Sequence, residues 1–421
     1  MDSARAEWRS YWHLPLLGAL GMSVSVLHVY SLGPFMQPLA REFGWSRAQI
    51  SSGITIANGM ASLLSVFAGM AVDRFGPRRV GICGIAIMCT AIGSLGAATG
   101  SNADWVGHFV LVGLGCLSVH TTIWAGAVAS RFRQARGLAI SIAMCGSGIS
   151  ATIMPLAATW LIGSFGWRGG FVGLGFLWLA VAMPLIILFF SGAQDEGRGR
   201  RARPETAPII PTITLPGLTV AQGLHCPAFY KLAVAGGMYS FVLIGTIVHF
   251  VPILEDRGRA PLAAAATAGL IGFASIIGRL GTGLLLDRFP GNRVGAAAFV
   301  LPTLGLALLQ WSGSAFGEVA AAIVIGLSVG AELDVIAYLS TRHIGLRRFG
   351  ALFGIMITAL SAGLALGPVA AGTTFDHFGS YGWFLAAGMP LMAGCAIVLA
   401  TLGRCPEFAP VEPASTVPPV T

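Results

Sequence analysis

Charged residues are scarce in this chain. Only 10% of its 421 residues are Asp, Glu, Lys or Arg, and Lys231 is the single lysine. A soluble domain carries about a quarter charged residues. Hydrophobic residues make up 55% of the chain, and the mean hydropathy is +0.79. This composition excludes a protein that is soluble as a monomer.

Motifs for catalysis and metal binding are also missing. The 7 cysteines show no metal-ligand spacing and imply no disulfides, because most of them lie in long apolar runs. No Ser-His-Asp arrangement, phosphate-binding loop or nucleotide motif occurs. We therefore expect neither an enzyme nor a primary pump, and we expect no cofactor or metal.

Apolar runs of about 20 residues recur along the chain, and each can cross a bilayer about 30 Å thick as a helix. They predict an all-α membrane protein with twelve transmembrane helices. The first eleven residues are polar and no small-residue cleavage site follows the first run, which predicts no cleaved signal peptide. The twelve runs lie at about 12–34, 48–72, 79–99, 104–129, 138–162, 168–190, 229–251, 262–286, 292–311, 317–340, 349–372 and 380–402.

One charged segment occurs twice. Residues 69–79 recur at 283–293, and both copies hold Asp four residues after Gly, followed by Arg-Phe. Arginine- and glycine-containing segments at 131–137 and 342–350 share nearly the same offset, which indicates an internal duplication. We expect six-helix bundles at 1–190 and 227–405, a solvated cytoplasmic linker at 191–226 and a disordered tail at 406–421.

The basic residues predict the orientation. With the N-terminus inside, 19 basic residues fall in inside segments and five in outside segments. The positive-inside rule therefore places both termini in the cytoplasm. We expect an integral membrane protein of the cell (inner) membrane. The net charge of +8 reflects this topology, so we expect the lipid bilayer as a partner and no nucleic acid.

Several segments resemble a known transporter family. The motif at 69–79 is similar to the signature of the major facilitator superfamily, which implies the major facilitator fold and a monomer as the functional unit. Within it, the chain resembles the monocarboxylate transporter and oxalate:formate antiporter branch. His28 and Tyr30 stand where animal monocarboxylate carriers tend to have a lysine, and Ser275 where they tend to have an aspartate. The branch resemblance rests on segments 30–31, 38–39, 42–47, 132–139, 166–168, 278–279, 330–334 and 338–339.

Three charged residues lie too deep in the predicted helices to reach an interface: Arg279 in span eight and Glu332 and Asp334 in span ten. Such residues are rare in membranes and usually functional. Arg279 precedes Asp287 by eight residues and Asp334 precedes Arg342 by eight, so both lie about 12 Å from the inner boundary. Arg279 either holds a substrate carboxylate, which the resemblance favours, or is paired permanently with Asp334 or Glu332 as a structural link.

These charges suggest coupling to protons. Two carboxylates and one guanidinium repel an anion, and protonation of one carboxylate removes that repulsion. Because Glu332 and Asp334 are two residues apart, they point to different sides of the helix. We favour Asp334 as the partner of Arg279 and expect Glu332 to bind a backbone group or a neighbouring helix; both are candidate proton-coupling residues.

Further candidates for substrate binding are His28, Tyr30, Asn58 and His120. A histidine can hydrogen-bond a carboxylate, although a neutral histidine satisfied by a helix neighbour is the more frequent case. His249, near the outer end of span seven, is a candidate gate residue. The duplicated Asp73-Arg74 and Asp287-Arg288 are further candidates for an inner gate, and the alternative is a role in topology alone.

The sequence thus predicts a secondary active transporter of small organic anions, monocarboxylates or aromatic carboxylates, that works by proton symport and alternating access. An exporter of amphipathic or drug-like compounds with the same fold is the alternative. That alternative predicts an acidic residue inside the first half, whereas all the buried charges lie in the second. A receptor or scaffold is disfavoured because neither linker nor tail forms a soluble domain.

Overall fold

The computed structural model describes residues 2–192, 195, 217–403 and 405–406. The described chain is almost entirely α-helical, as predicted. Most of the predicted linker, at 193–194 and 196–216, and the predicted tail after residue 406 lie outside the described residues. An amphipathic helix, Asp2–Tyr11, precedes the first span.

Ten helices of the described chain are long and apolar enough to cross a membrane, and a bent pair makes an eleventh span. One of the ten, Arg136–Phe189, is 54 residues long and has non-helical backbone at Gly166, so it contains two spans and brings the total to twelve. The spans are His13–Phe43, Arg47–Phe75, Pro77–Ala97, Asn102–Arg131, Arg136–Phe189 as spans five and six, Pro227–Val248, Pro261–Arg288, Gly291–Trp311, Ala315–Ile344, Phe349–Phe378 and Gly382–Ala400.

Local sequence explains where many spans begin and end. Prolines occupy the first turn of the spans that begin at Pro77, Pro227 and Pro261, where no backbone donor is required. The Ser46 and Ser314 side chains accept hydrogen bonds from the first turns of spans two and ten. Spans one, ten and eleven end at glycines with positive φ: Gly44, Gly345 and Gly379.

Several spans are broken rather than continuous, among them spans two and four. Span two bends by 56° between Arg47–Leu63 and Ser65–Phe75. Span four consists of Asn102–Ser118 and Thr121–Arg131, with Val119 and His120 between them. A break in a helix leaves backbone N–H and C=O groups without their helical hydrogen bonds. Such breaks are common where transporters bind their substrates.

The end of the predicted linker has more structure than a solvated tether. Leu218 donates its backbone N–H to the Ile344 carbonyl, and a short helix follows at Val220–Leu224. Thr219 and Gln222 form a capping box, in which each side chain bonds the backbone of the other, and this local chemistry stabilises the turn.

Two clusters of buried apolar residues form the core. One is built from residues 14–190 together with Val248, and the other from residues 228–402. Spans five and eight approach across the boundary between them because glycines face each other: a Cβ at Gly272 would overlap the Thr152 backbone, and one at Gly148 would press on Ser275. We call the face that holds the Asp73 and Asp287 loops the terminal face, because the described chain begins and ends there.

Candidate functional site

Spans eight and ten touch through their backbones beside the predicted charges. A Cβ at Gly330 would overlap the Ser275 carbonyl oxygen, and one at Gly278 would overlap the Leu327 carbonyl oxygen. Glycine at both positions therefore allows a close approach that larger residues would prevent. This approach brings Arg279 on span eight beside Asp334 on span ten.

Arg279 and Asp334 form an ion pair. Arg279 Nη1 donates to Asp334 Oδ1 at 3.1 Å. The Arg279 side chain is 9% exposed, whereas that of Asp334 is 32% exposed. The pair is thus buried on the arginine side and accessible to water on the carboxylate side.

Glu332 occupies a separate position on span ten. Its Oε1 accepts a hydrogen bond from the Ser240 hydroxyl of span seven at 2.6 Å. The two carboxylates therefore bind different neighbouring helices, as the spacing of two residues predicts. Asp334, rather than Glu332, is the partner of Arg279.

Two predicted residues of the first half lie together. His28 Nε2 is 3.0 Å from Asn58 Oδ1, and the Cys116 sulfur lies 3.5 Å from His28 Nδ1. The Asn58 Nδ2 group is buried and has no hydrogen-bond partner among the described residues. An amide donor in this situation is available to an incoming acceptor, since leaving it unpaired costs free energy.

Tyr30 lies at the boundary between the two halves, where it packs against both apolar clusters. Arg279 and Glu332 are the charged residues of the second half in its neighbourhood. It also lines a narrow cavity with residues of spans five, seven and eight. Tyr30 is thus the predicted first-half residue that the structure brings to the charges of the second half.

His120 has a local role in the structure. Its Nδ1 atom lies 3.2 Å from the Thr122 hydroxyl and accepts from the Thr122 backbone N–H at 3.5 Å, so it caps the second helix of span four. The described contacts do not bring it to Arg279, Asp334 or the His28–Asn58 pair. Its part in substrate binding stays a prediction.

Arg47 is one of the residues that join the two halves at the face opposite the termini. The Arg47 guanidinium binds both carboxylate oxygens of Asp256 at 2.7 Å, and the Tyr381 hydroxyl at 2.6 Å. It also stacks 3.7 Å above the Phe375 ring. A bidentate, charge-assisted contact of this kind is stronger than a neutral hydrogen bond.

A second carboxylate strengthens the same junction. Asp376 accepts hydrogen bonds from the backbone N–H groups of Arg47 and Ala48 at 2.9 Å, where span two begins. A carboxylate at a helix N-terminus pairs with free backbone donors and with the positive end of the helix dipole. We call Arg47, Asp256, Asp376 and Tyr381 the Arg47 lock.

His249 lies next to the Arg47 lock, and its gate role stays a prediction. Its Nδ1 atom contacts the Tyr381 hydroxyl at 2.8 Å, and its Nε2 atom lies 3.1 Å from the Ser51 hydroxyl and 2.9 Å from the Pro368 carbonyl oxygen. The Thr55 hydroxyl adds a hydrogen bond to the Ala365 carbonyl oxygen. Together these contacts hold the two halves against each other at the opposite face.

Sequence reasoning missed the Arg47 lock. Arg47 was counted only as an outside charge, although the segment 42–47 that contains it contributed to the family resemblance. Its partners lie 209 and 329 residues away in the chain. Such pairs become visible only when the two halves are packed together.

The duplicated Asp-Arg segments each line a cavity at the terminal face. Asp287 and Arg288 line a cavity of about 690 Å³, and Asp73 and Arg74 line another of about 580 Å³. Arg74 also stacks on the Phe75 ring at 5.4 Å. No described contact of Arg288 joins it to the first half, so its gate role stays a prediction.

The described structure thus defines a helical membrane protein with a charged pair within its helices and two halves that are bonded to each other at one face. The family model of the Major Facilitator Superfamily matches residues 18–345. The chain therefore belongs to the major facilitator superfamily, and it is an integral membrane transporter rather than an enzyme.

Curated relatives and a solved structure agree with this family. The chain is similar to monocarboxylate transporter 13 of Bos taurus, with 26% identity over 91% of this chain and 88% of the relative. It is similar to human monocarboxylate transporter 11, with 27% identity over 95% and 84%. The 4-hydroxybenzoate transporter PcaK of Acinetobacter baylyi is 23% identical over 84% and 86%. A bacterial homolog of the lysosomal transporter Spinster shares the fold, with a TM-score of 0.65, 17% identity and coverage of 94% and 95%.

Proposed function

We propose that the protein is a secondary active transporter of small organic anions, monocarboxylates or aromatic carboxylates, that moves them by proton symport. The observation that carries the proposal is the Arg279–Asp334 pair, buried at the arginine and open at the carboxylate. The relatives named for monocarboxylates and for 4-hydroxybenzoate support the substrate class.

The chemistry of the pair fits an anionic substrate. A guanidinium presents five donors in a planar fork, and Asp334 engages one nitrogen of Arg279 at 3.1 Å. The remaining donors suit a substrate carboxylate, which would compete with Asp334 for the fork. Asn58, His28 and Tyr30 would contact the rest of the substrate from the first half.

Proton coupling follows from the charge balance. Arg279, Asp334 and Glu332 together carry one negative charge when both carboxylates are ionised, and this repels an anion. A proton on Asp334 weakens its hold on Arg279 and removes that repulsion, so proton and anion enter together. Asp334 suits this role because its side chain is 32% exposed.

Alternating access requires two faces that open in turn. We propose that the halves 1–190 and 227–405 rock against each other, that the Arg47 lock and His249 close one face, and that Asp73, Arg74, Asp287 and Arg288 close the terminal face in the other state. The functional unit would be a monomer in the cell (inner) membrane with both termini cytoplasmic.

The test is uptake of radiolabelled carboxylates into proteoliposomes, with and without an inward proton gradient. We expect gradient-stimulated uptake of one acid by the wild type and a loss of about a hundredfold in Arg279→Ala, equivalent to one charged hydrogen bond in a dry site. Arg279→Lys is the matched control, because it keeps the positive charge but lacks the planar guanidinium that can bind a carboxylate through two donors. It should lose most of the uptake. Uptake that survives Arg279→Ala would reduce the pair to a structural link, and an absence of carboxylate uptake would favour the exporter.

A further inference from the structure

Two cavities meet beside the loop between spans eight and nine. One is an apolar groove of about 350 Å³, and the other is a polar cavity of about 690 Å³. Phe289 and Arg293 line both, so the groove and the polar cavity adjoin at these two residues. Arg279, Glu332 and Asp334 line neither cavity, so the pair of cavities is separate from the proposed transport site.

The groove is built from three helical stripes. Span eight contributes residues 282, 285 and 289, span nine contributes 293, 297 and 301, and span ten contributes 327 and 331. Spacings of three and four residues place each set on one side of its helix. Leu285 and Phe289 are about half exposed, and Ala297 is also exposed. The groove therefore opens to the outer surface of the bundle and runs about 12 Å into the membrane from Arg293.

The polar cavity at the end of the groove is positively charged. Arg288, Arg293 and Arg342 line it, and Asp287 is its one acidic lining residue. None of the three guanidinium groups forms an ion pair with any residue that the structure describes. Three arginines against one aspartate leave the lining with two positive charges at the depth where phospholipid headgroups lie.

We infer that the groove and the cavity together bind one anionic phospholipid of the leaflet at the terminal face. An acyl chain lies along the apolar stripes, and the phosphate contacts Arg293 and Arg342. Basic pockets next to transmembrane helices select anionic headgroups because they combine charge with a nearby apolar surface. A soluble anion would use the polar cavity alone, so the continuity with the groove favours a lipid.

The test uses the purified full chain in detergent, with bound lipid measured by native mass spectrometry and thermal stability measured with added lipid. The probes are cardiolipin, phosphatidylcholine and inorganic phosphate. We expect cardiolipin to bind and stabilise the wild type, and phosphatidylcholine and phosphate to have much smaller effects. Arg293→Ala combined with Arg342→Ala should weaken cardiolipin binding by about tenfold or more, because two basic contacts are lost.

Two further variants distinguish the contribution of the lipid headgroup to binding from that of the acyl chain. Arg347→Ala with Arg348→Ala is the matched control, since both arginines are exposed at the same face and line neither cavity, and it should bind cardiolipin normally. Ala297→Trp should fill the groove and reduce binding with every arginine intact. Unchanged binding in the Arg293/Arg342 variant, an equal loss in both double variants, or equal stabilisation by phosphate would each overturn the assignment.

Discussion

Arg279 on span eight and Asp334 on span ten lie 3.1 Å apart, although 55 residues separate them in the chain. Their contact depends on Gly278 and Gly330, which let the two helices touch. The carboxylate is the more exposed partner, so it is the side of the pair that water and protons reach first. Several measurable consequences follow from this arrangement and from the Arg47 lock, which joins the two halves at the face opposite the termini.

The first prediction concerns the close contact between spans eight and ten beside the Arg279–Asp334 pair. Gly330→Ala adds a methyl group that would overlap backbone atoms of span eight, and backbone cannot move as a flexible side chain does. We expect a loss of about 1–3 kcal/mol in stability, read as a lower midpoint of thermal unfolding. Gly281→Ala, on the neighbouring span eight with open space around it, is the control and should gain up to about 1 kcal/mol. Equal midpoints in the two variants would contradict the close approach.

The Arg47 lock can be tested by distance measurements. Spin labels at Asn102 and Ser380, after replacement of the accessible native cysteines, report the separation of the halves at the opposite face. Arg47→Ala removes the bidentate contact to Asp256, so we expect the distance distribution to shift to longer values. Arg168→Ala is the control, because within the described chain Arg168 bonds Glu42, Gly96 and Ala98, which all lie in the first half. A distribution unaffected by Arg47→Ala would show that other contacts close this face.

The equilibrium between the closed and open forms of the face opposite the termini should also depend on pH. Glu255 lies beyond the end of span seven, and burial, followed by the nearby Asp256 charge, raises the pKa of its carboxyl group to about 7 against the pull of Arg47 and Arg41. When the face opens and water enters, this pKa should return toward its usual value of about 4.3. The closed form therefore binds the proton more tightly than the open form. Protonation of Glu255 thus favours the closed form at low pH, and this stabilisation is lost as pH rises through about 7.

The same spin labels measure this effect. Between pH 5.5 and pH 8 we expect the wild type to shift toward longer distances. Glu255→Gln stays neutral and should show no such shift. A wild-type distribution that moves in the opposite direction would rule out Glu255 as the titrating group.

The unpaired amide of Asn58 leads to a prediction about substrate affinity. Asn58→Leu removes a buried donor that the protein leaves unsatisfied. If the substrate accepts a hydrogen bond there, the KM for the transported acid should rise about tenfold, since a lost hydrogen bond costs about 1.4 kcal/mol. Asn58→Gln keeps the amide and should retain part of the affinity. An unchanged KM in Asn58→Leu would place the substrate elsewhere.

Much of the architecture could be predicted because the bilayer imposes strict rules on length and charge. Hydropathy predicted twelve spans, and equal depth predicted that Arg279 could meet a carboxylate on span ten. The break in span four at Val119–His120 was not predicted. No proline marks it, and the capping contact of His120 with Thr122 becomes visible only in the folded chain.

The Arg47 lock could not be predicted for a different reason. Hydropathy and charge counting treat each loop separately, whereas the Arg47 lock joins the start of span two to the ends of spans seven and eleven. The pairing of Arg47 with Asp256 depends on how the halves pack, and no periodic pattern encodes that packing. The same limit explains why the roles of Asp73 and Asp287 remain predictions.

The most direct test of the central claim is proton movement during transport in proteoliposomes that contain wild type or Asp334→Asn. The account predicts that, for the wild type, addition of the transported acid alkalinises the outside medium in step with uptake. Asp334→Asn should still exchange labelled for unlabelled acid but should lose both the alkalinisation and the stimulation by a proton gradient. Proton-coupled uptake that persists in Asp334→Asn would contradict the assignment of the proton to the Arg279–Asp334 pair.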